Sequence, residues 1–145
     1  MFRERGLLIS LNEFILLNKI ESKVIFLHSE NKKRLNLDTE LSIYRIIKEL
    51  LNNAIKHAKA SRIELQLIYF EDFLYLSIED NGIGIKENQT ESKGNGLKNL
   101  DLRVNYLNGK MNRESSDKGT LISIEIPYEP NPEDKITADW RPSTF

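Results

Sequence analysis

The chain has no cysteine, which removes disulfide scaffolds, thiolate metal sites and cysteine nucleophiles, and which fits a reducing compartment. It has no apolar run near the roughly 20 residues that a spanning helix needs. Gly6-Leu7-Leu8-Ile9 is short, Asn12, Glu13 and Asn18 interrupt the apolar residues beyond it, and no signal-peptide cleavage site comes after it. Neither charge sign is in excess: 21 basic and 22 acidic side chains leave a formal net charge of -1. Nothing therefore points to nucleic acid or an anionic membrane as a global partner, and no membrane insertion is expected. The chain lacks Gly-x-x-x-x-Gly-Lys-Ser/Thr, so it has no Walker-type phosphate loop. It also lacks a full Gly-x-Gly-x-x-Gly opening a helix after its first strand, which counts against a Rossmann site. There is no internal repeat. A soluble, cytoplasmic domain is expected.

What is present suffices for one core: 145 residues, 39% of them hydrophobic. Apolar spacing predicts a helix over Leu7 to Ile20 and a short strand over Lys23 to His28, around Val24-Ile25-Phe26-Leu27. Asp38 reads as the N-cap of a long helix, about Thr39 to Ala58, with Leu41, Tyr44, Ile47, Leu51, Ala54, Ile55 and Ala58 as its apolar stripe. Arg62 to Phe70 and Phe73 to Asp80 alternate like a β-hairpin, and 81–93 reads as a loop. Leu97, Leu100, Val104 and Leu107 predict a further helix, ended by Asn108-Gly109. Lys110 to Ser116 and Thr120 to Pro127 predict a last hairpin. The expected fold class is α+β, a two-layer α/β sandwich with a mixed sheet and about three helices on one face. Residues 1–128 form the expected domain, and 129–145, with its prolines and charges, reads as a flexible C-terminal tail.

Three constellations carry chemistry. On the long helix, Glu49, Asn53, Lys56 and His57 gather on one side, expected opposite the apolar stripe. An amide oxygen suits Mg²⁺, an ammonium can meet a phosphate, and a carboxylate can orient or deprotonate a nucleophile. Alone, such a face is most often merely solvated. Next, Asp80 ends the strand face of Leu74, Leu76 and Ile78, so a carboxylate is delivered to an apolar row that must supply it with donors. An adenine amine would be one donor, and Gly82 and Gly84 would let the backbone approach a flat ligand. An Asp-Asn-Gly turn explains Asp80 and Gly82 as well, but not Gly84 between two isoleucines. Third, Gly94-Asn95-Gly96-Leu97 opens a helix, whose unpaired N–H groups make an anion site fit for a triphosphate. Lys118-Gly119-Thr120 alone predicts no more than a hairpin turn.

Taken in order, these segments resemble the boxes of the GHKL ATPase superfamily, which includes histidine kinases, type II topoisomerases, a heat-shock chaperone and mismatch-repair ATPases. Glu49 to Ala58 is similar to the N box, 80–85 to the first glycine box, Gly94 to Leu97 to the second, and Gly119-Thr120 to the last Gly-Thr element. Within the superfamily, 44–54 and 96–104 most resemble histidine kinases of the nitrate-sensor/desaturase-regulator type. The resemblance implies an ATP- and Mg²⁺-binding domain in which Asn53 coordinates the metal and Glu49 is the acid–base residue near the γ-phosphate. It implies that Lys56 and His57 help hold phosphates, and that Asp80 recognises the adenine amine. Gly82, Gly84 and Ile85 would shape the adenine pocket, Gly94, Asn95, Gly96 and Leu97 would flank the phosphates, and Thr120 would support the pocket near Asp80. The implied partners are a histidine-bearing dimerisation domain and, downstream, a response regulator.

One departure bears on function. The two histidines are His28, at the end of a predicted strand, and His57, inside the N-box segment; neither lies in an acceptor motif. The chain therefore reads as the ATP-binding part alone, and a membrane anchor elsewhere in a parent protein is compatible with it. The loop 86–93 is short and lacks an aromatic box, as this subtype would. Rival readings with the same fold are an anti-sigma-factor-type serine kinase, a non-catalytic nucleotide-binding module, and a topoisomerase- or chaperone-type ATPase, which would need longer lids and further domains.

Overall fold

The computed structural model describes residues 2–30, 35–83 and 96–128, with side chains described from residue 6 in the first stretch and from residue 99 in the last. Among the described residues, three helices and five strands come in the order α1 (Phe2–Leu17), β1 (Val24–His28), α2 (Leu37–Lys56), β2 (Ile63–Tyr69), β3 (Phe73–Asp80), α3 (Gly96–Tyr106), β4 (Lys110–Ser116) and β5 (Gly119–Pro127). The sheet runs β1-β2-β3-β5-β4. β1 pairs with β2 in parallel, and every other pairing is antiparallel, so the sheet is mixed. Residues 84, 85, 94 and 95 and the tail from 129 lie outside the described residues. Among the described residues, no helix is long and apolar enough to cross a membrane.

The core lies between the helices and one sheet face. Alternation in β2, β3 and β5 puts Leu65, Leu67, Leu74, Leu76, Ile122 and Ile124 on that face, all buried. Leu7, Leu11, Ile43, Ile47, Leu100 and Val104 meet them from the three helices. The apolar period that predicts α1 begins where Gly6 breaks its helical path, at φ 76 and ψ -177. Asn108, at φ 58, turns the chain out of α3, and the Gly109 N–H closes the cap on the Val104 carbonyl at 2.9 Å.

Two expectations for α2 need correction. Its N-cap is Asn36, not Asp38: the Asn36 side chain accepts from the Thr39 N–H at 3.2 Å. Leu35 packs against the core just ahead of it, so the chain must already turn there. Asp38 instead sits in the first turn, where its charge complements the helix dipole. The buried face is also rotated. It centres on Ile43, Ile46, Ile47, Leu50 and Ala54, while Leu41, Tyr44 and Ile55 are only half-buried. Glu49 and Asn53 therefore flank the buried face, roughly 100° round the axis, rather than opposing it.

Candidate functional site

The rotation of α2 decides what its polar residues can do. Glu49 and Asn53 are half-buried at the margin of the core, whereas Lys56 and His57, at the end of the helix, are exposed. Glu49 faces α3: its Oε2 lies 3.4 Å from Nη1 of Arg103. The same helix is tied on its other flank, where Asp101 meets Arg113 of β4 at 3.8 Å.

Asp80 stands at the end of the β3 row of Leu74, Leu76 and Ile78, and is itself half-buried. Its Oδ1 accepts from the Gly82 N–H at 2.8 Å. Burial pushes its carboxyl above the ordinary carboxylate range, and the N–H groups of Gly82 and Thr120 pull it partly back. Across the sheet end, Asp80 pairs with Thr120, and Thr120 with Ser115. Thr120 is 4% exposed, and its hydroxyl lies 3.1 Å from that of Ser115. An otherwise apolar sheet face thus ends in a polar row. Asp80, Thr120 and Ser115 line an open hollow there, together with Glu79, Glu114 and Lys118.

The chain around Asp80 is pinned to the end of α2. Asn81 Oδ1 accepts from the N–H groups of Ser61 at 3.0 Å and Arg62 at 2.9 Å, and its Nδ2 donates to Ser61 Oγ at 3.0 Å. The Ile83 N–H donates to the Ala58 carbonyl at 2.9 Å. Gly82 lies so close that a Cβ there would sit 2.2 Å from the Ala58 carbonyl oxygen. The chain beneath Gly82 is thus by itself reason enough for a glycine there. Gly119, at φ 146, is the second forced glycine: its Cβ would sit 2.0 Å from the Asp80 carbonyl oxygen. The Gly-Thr pair, read alone as a simple turn, is therefore part of the Asp80 site.

Of the residues that the sequence nominates, the structure brings Asp80, Gly82 and Thr120 together and sets them beside the α2 end that carries His57. Gly96 opens α3, and the side chain of Leu97 is not described. Gly84, Ile85, Gly94 and Asn95 lie outside the described residues. Arg103, Asn81 and Ser115 contact these residues or their neighbours, although the sequence reading assigns none of the three a role. Only Asn81 has a local signal, as an Asx residue at the end of a strand. For Mg²⁺, no group of three or more His, Cys, Asp or Glu able to hold a metal occurs among the described residues. The half-buried Asn53 amide fits a cation held chiefly by phosphate oxygens and water.

Residues 38–130 match the family of histidine kinase-, DNA gyrase B-, and HSP90-like ATPases. The chain is 39% identical over 95 residues to the sensor histidine kinase ComP of Bacillus subtilis, covering 63% of this chain and 12% of ComP. It is 30% identical over 97 residues to the oxygen sensor histidine kinase NreB of Staphylococcus carnosus, covering 66% of this chain and 28% of NreB. The chain thus spans a small part of the curated relatives it matches. Among solved structures, the catalytic domain of histidine kinase ThkA superposes with a TM-score of 0.62 at 21% identity, over 88% of this chain and 92% of that one. The histidine kinase domain of the Erythrobacter litoralis EL346 blue-light activated kinase gives 0.65 at 23%, over 81% of this chain and 60% of that one.

Proposed function

Because the chain belongs to the family of histidine kinase-, DNA gyrase B-, and HSP90-like ATPases, we propose that it is the catalytic domain of a cytoplasmic sensor-kinase module, binding ATP with Mg²⁺ and passing the γ-phosphate to a histidine on a separate dimerisation domain. A response regulator then takes the phosphate from that histidine. The observation that carries the reading is the Asp80 carboxylate, desolvated at the end of an apolar row, registered against Thr120 and moored to the helix of Glu49 and Asn53.

Each residue then has a task. Asp80 accepts from the adenine amine, with Thr120 beside it. Asn53 offers its amide oxygen to the metal. When bound, Mg²⁺ supplies charge neutralisation on the phosphate oxygens. Lys56 and His57 take phosphate oxygens at the α2 end. Glu49 accepts the proton that the attacking imidazole loses as its nitrogen bonds to phosphorus. Most of the rate enhancement is positioning and electrostatics.

Calorimetry with millimolar Mg²⁺ tests the reading. ATP and ADP should bind, and Asn53→Ala should weaken Mg²⁺-dependent binding at least about tenfold with an unchanged circular dichroism spectrum. Unaltered affinity removes Asn53 as a ligand. No heat from any adenine nucleotide would sink the proposal as a whole.

A further inference from the structure

The Arg103–Glu49 pair joins residues 54 apart in sequence and bridges α2 to α3. By ordinary standards it is a weak surface contact: its length is 3.4 Å, and its side chains are 44% and 24% exposed. Pairs of that kind contribute little to stability. Its location is less ordinary. Glu49 sits one turn before Asn53 on the flank of α2, and Arg103 rises from the helix that Gly96 opens. A carboxylate at that place faces a triphosphate of its own sign and is repelled by it. A guanidinium beside the carboxylate offsets the repulsion and restrains its orientation through Oε2. Asp101, the acid nearest Arg103 on α3, is engaged by Arg113 on the opposite flank.

We propose that Arg103 is a positioning residue for Glu49, holding its carboxylate beside the γ-phosphate in the orientation that takes the proton. This rests on the reading of Glu49 as the acid–base residue. In this role Arg103 acts through Glu49, the carboxylate it meets at 3.4 Å, rather than on the nucleotide itself.

The test is single-turnover phosphate transfer from Mg-ATP to a histidine-bearing dimerisation domain supplied in trans, with nucleotide affinity measured on the same proteins. Arg103→Ala should slow transfer about tenfold at saturating Mg-ATP while Kd changes less than about twofold. Arg103→Lys, which keeps the charge but loses the planar fork, should fall between the two. In a Glu49→Gln background, Arg103→Ala should cause no further loss. In the nucleotide-free chain, the Arg103 Nε–H resonance should move on Glu49→Gln; a stationary resonance overturns the pairing. Multiplying losses in the double variant, an equal loss of affinity and rate, or full-speed transfer by Arg103→Ala would each overturn the role. If Glu49→Gln itself transfers at full rate, the assignment of Glu49 has failed first, and this inference goes with it. No transfer by the unsubstituted chain overturns the kinase reading and this inference together.

Discussion

The two ends of the site are held by different physics. Around Asp80 the backbone is in direct contact with itself. Gly82 lies against Ala58, Gly119 lies against the Asp80 carbonyl, and Asn81 closes three hydrogen bonds of about 3 Å onto the loop before β2. Around Glu49 the elements meet through ion pairs of 3.4 and 3.8 Å between partly exposed side chains. Close-packed backbone has one arrangement, whereas a long, partly exposed ion pair restrains its partners more loosely. The Asp80 end is thus preorganised by its backbone, whereas the Glu49 end depends on its side-chain pairs for its orientation.

Four substitutions can break or sharpen this contrast. The largest effect is expected from Gly119→Ala, which combines a disfavoured φ with a clash against the Asp80 carbonyl. It should cost about 3 kcal/mol, or roughly 10 °C in Tm, by thermal unfolding. A near-normal melt would show that the Asp80 end is more pliant than its close packing implies. Next is Asp80→Asn. Because folding raises the Asp80 carboxyl, its stabilising contribution is complete below the ordinary carboxylate range and disappears as pH rises through the raised value. At neutral pH the ionised group opposes folding, so Asp80→Asn should melt no lower than the parent and should flatten the acid limb of stability against pH. It should also bind ATP at least about tenfold more weakly. A lower Tm at pH 7 contradicts the desolvation argument.

Third, Asn81→Ala removes three hydrogen bonds, but at exposed positions where water can replace them. A loss of about 1 kcal/mol in urea unfolding is expected, with ATP affinity falling in step as the Asp80 turn loosens. Unchanged affinity would mean that Gly82 and Ile83 hold the turn unaided. The smallest effect belongs to Arg113→Ala, which should shift stability by less than about 0.5 kcal/mol and leave ATP affinity unaltered. A clear loss there would mean that α3 is anchored more firmly than its ion pairs suggest.

The legibility of these regions in the sequence divides along the same line. Period-2 and period-3.6 spacing locates the strands and helices, because burial imposes that spacing on every core element. It does not fix the rotation of α2. Leu41, Tyr44 and Ile55 keep helical spacing with the truly buried residues, and only contact with α1 and the sheet decides which edge of the wide stripe goes inside. The cap falls on Asn36 rather than Asp38 for a related reason: both residues can cap, and the packing of Leu35 chooses between them. Asp80 is readable because strand alternation alone puts it on the core face. The reasons for Gly82 and Gly119 are not, since each answers to a carbonyl that only the folded chain brings near. Arg103 lies inside the 96–104 run that carries the resemblance, but its pairing is not readable there, because its partner lies on another helix.

The parallel pairing of β1 has a consequence for how the chain assembles. β2 with β3, and β4 with β5, are joined by short connections and can zip locally. β1 reaches β2 only across the whole of α2, so its docking waits until that helix has settled on the growing layer. As an outer strand of five residues it has one neighbour to release. Amide hydrogens of Val24–His28 should therefore exchange ahead of those in β3, and Asp80 and its mooring to the α2 end should persist while that margin comes and goes.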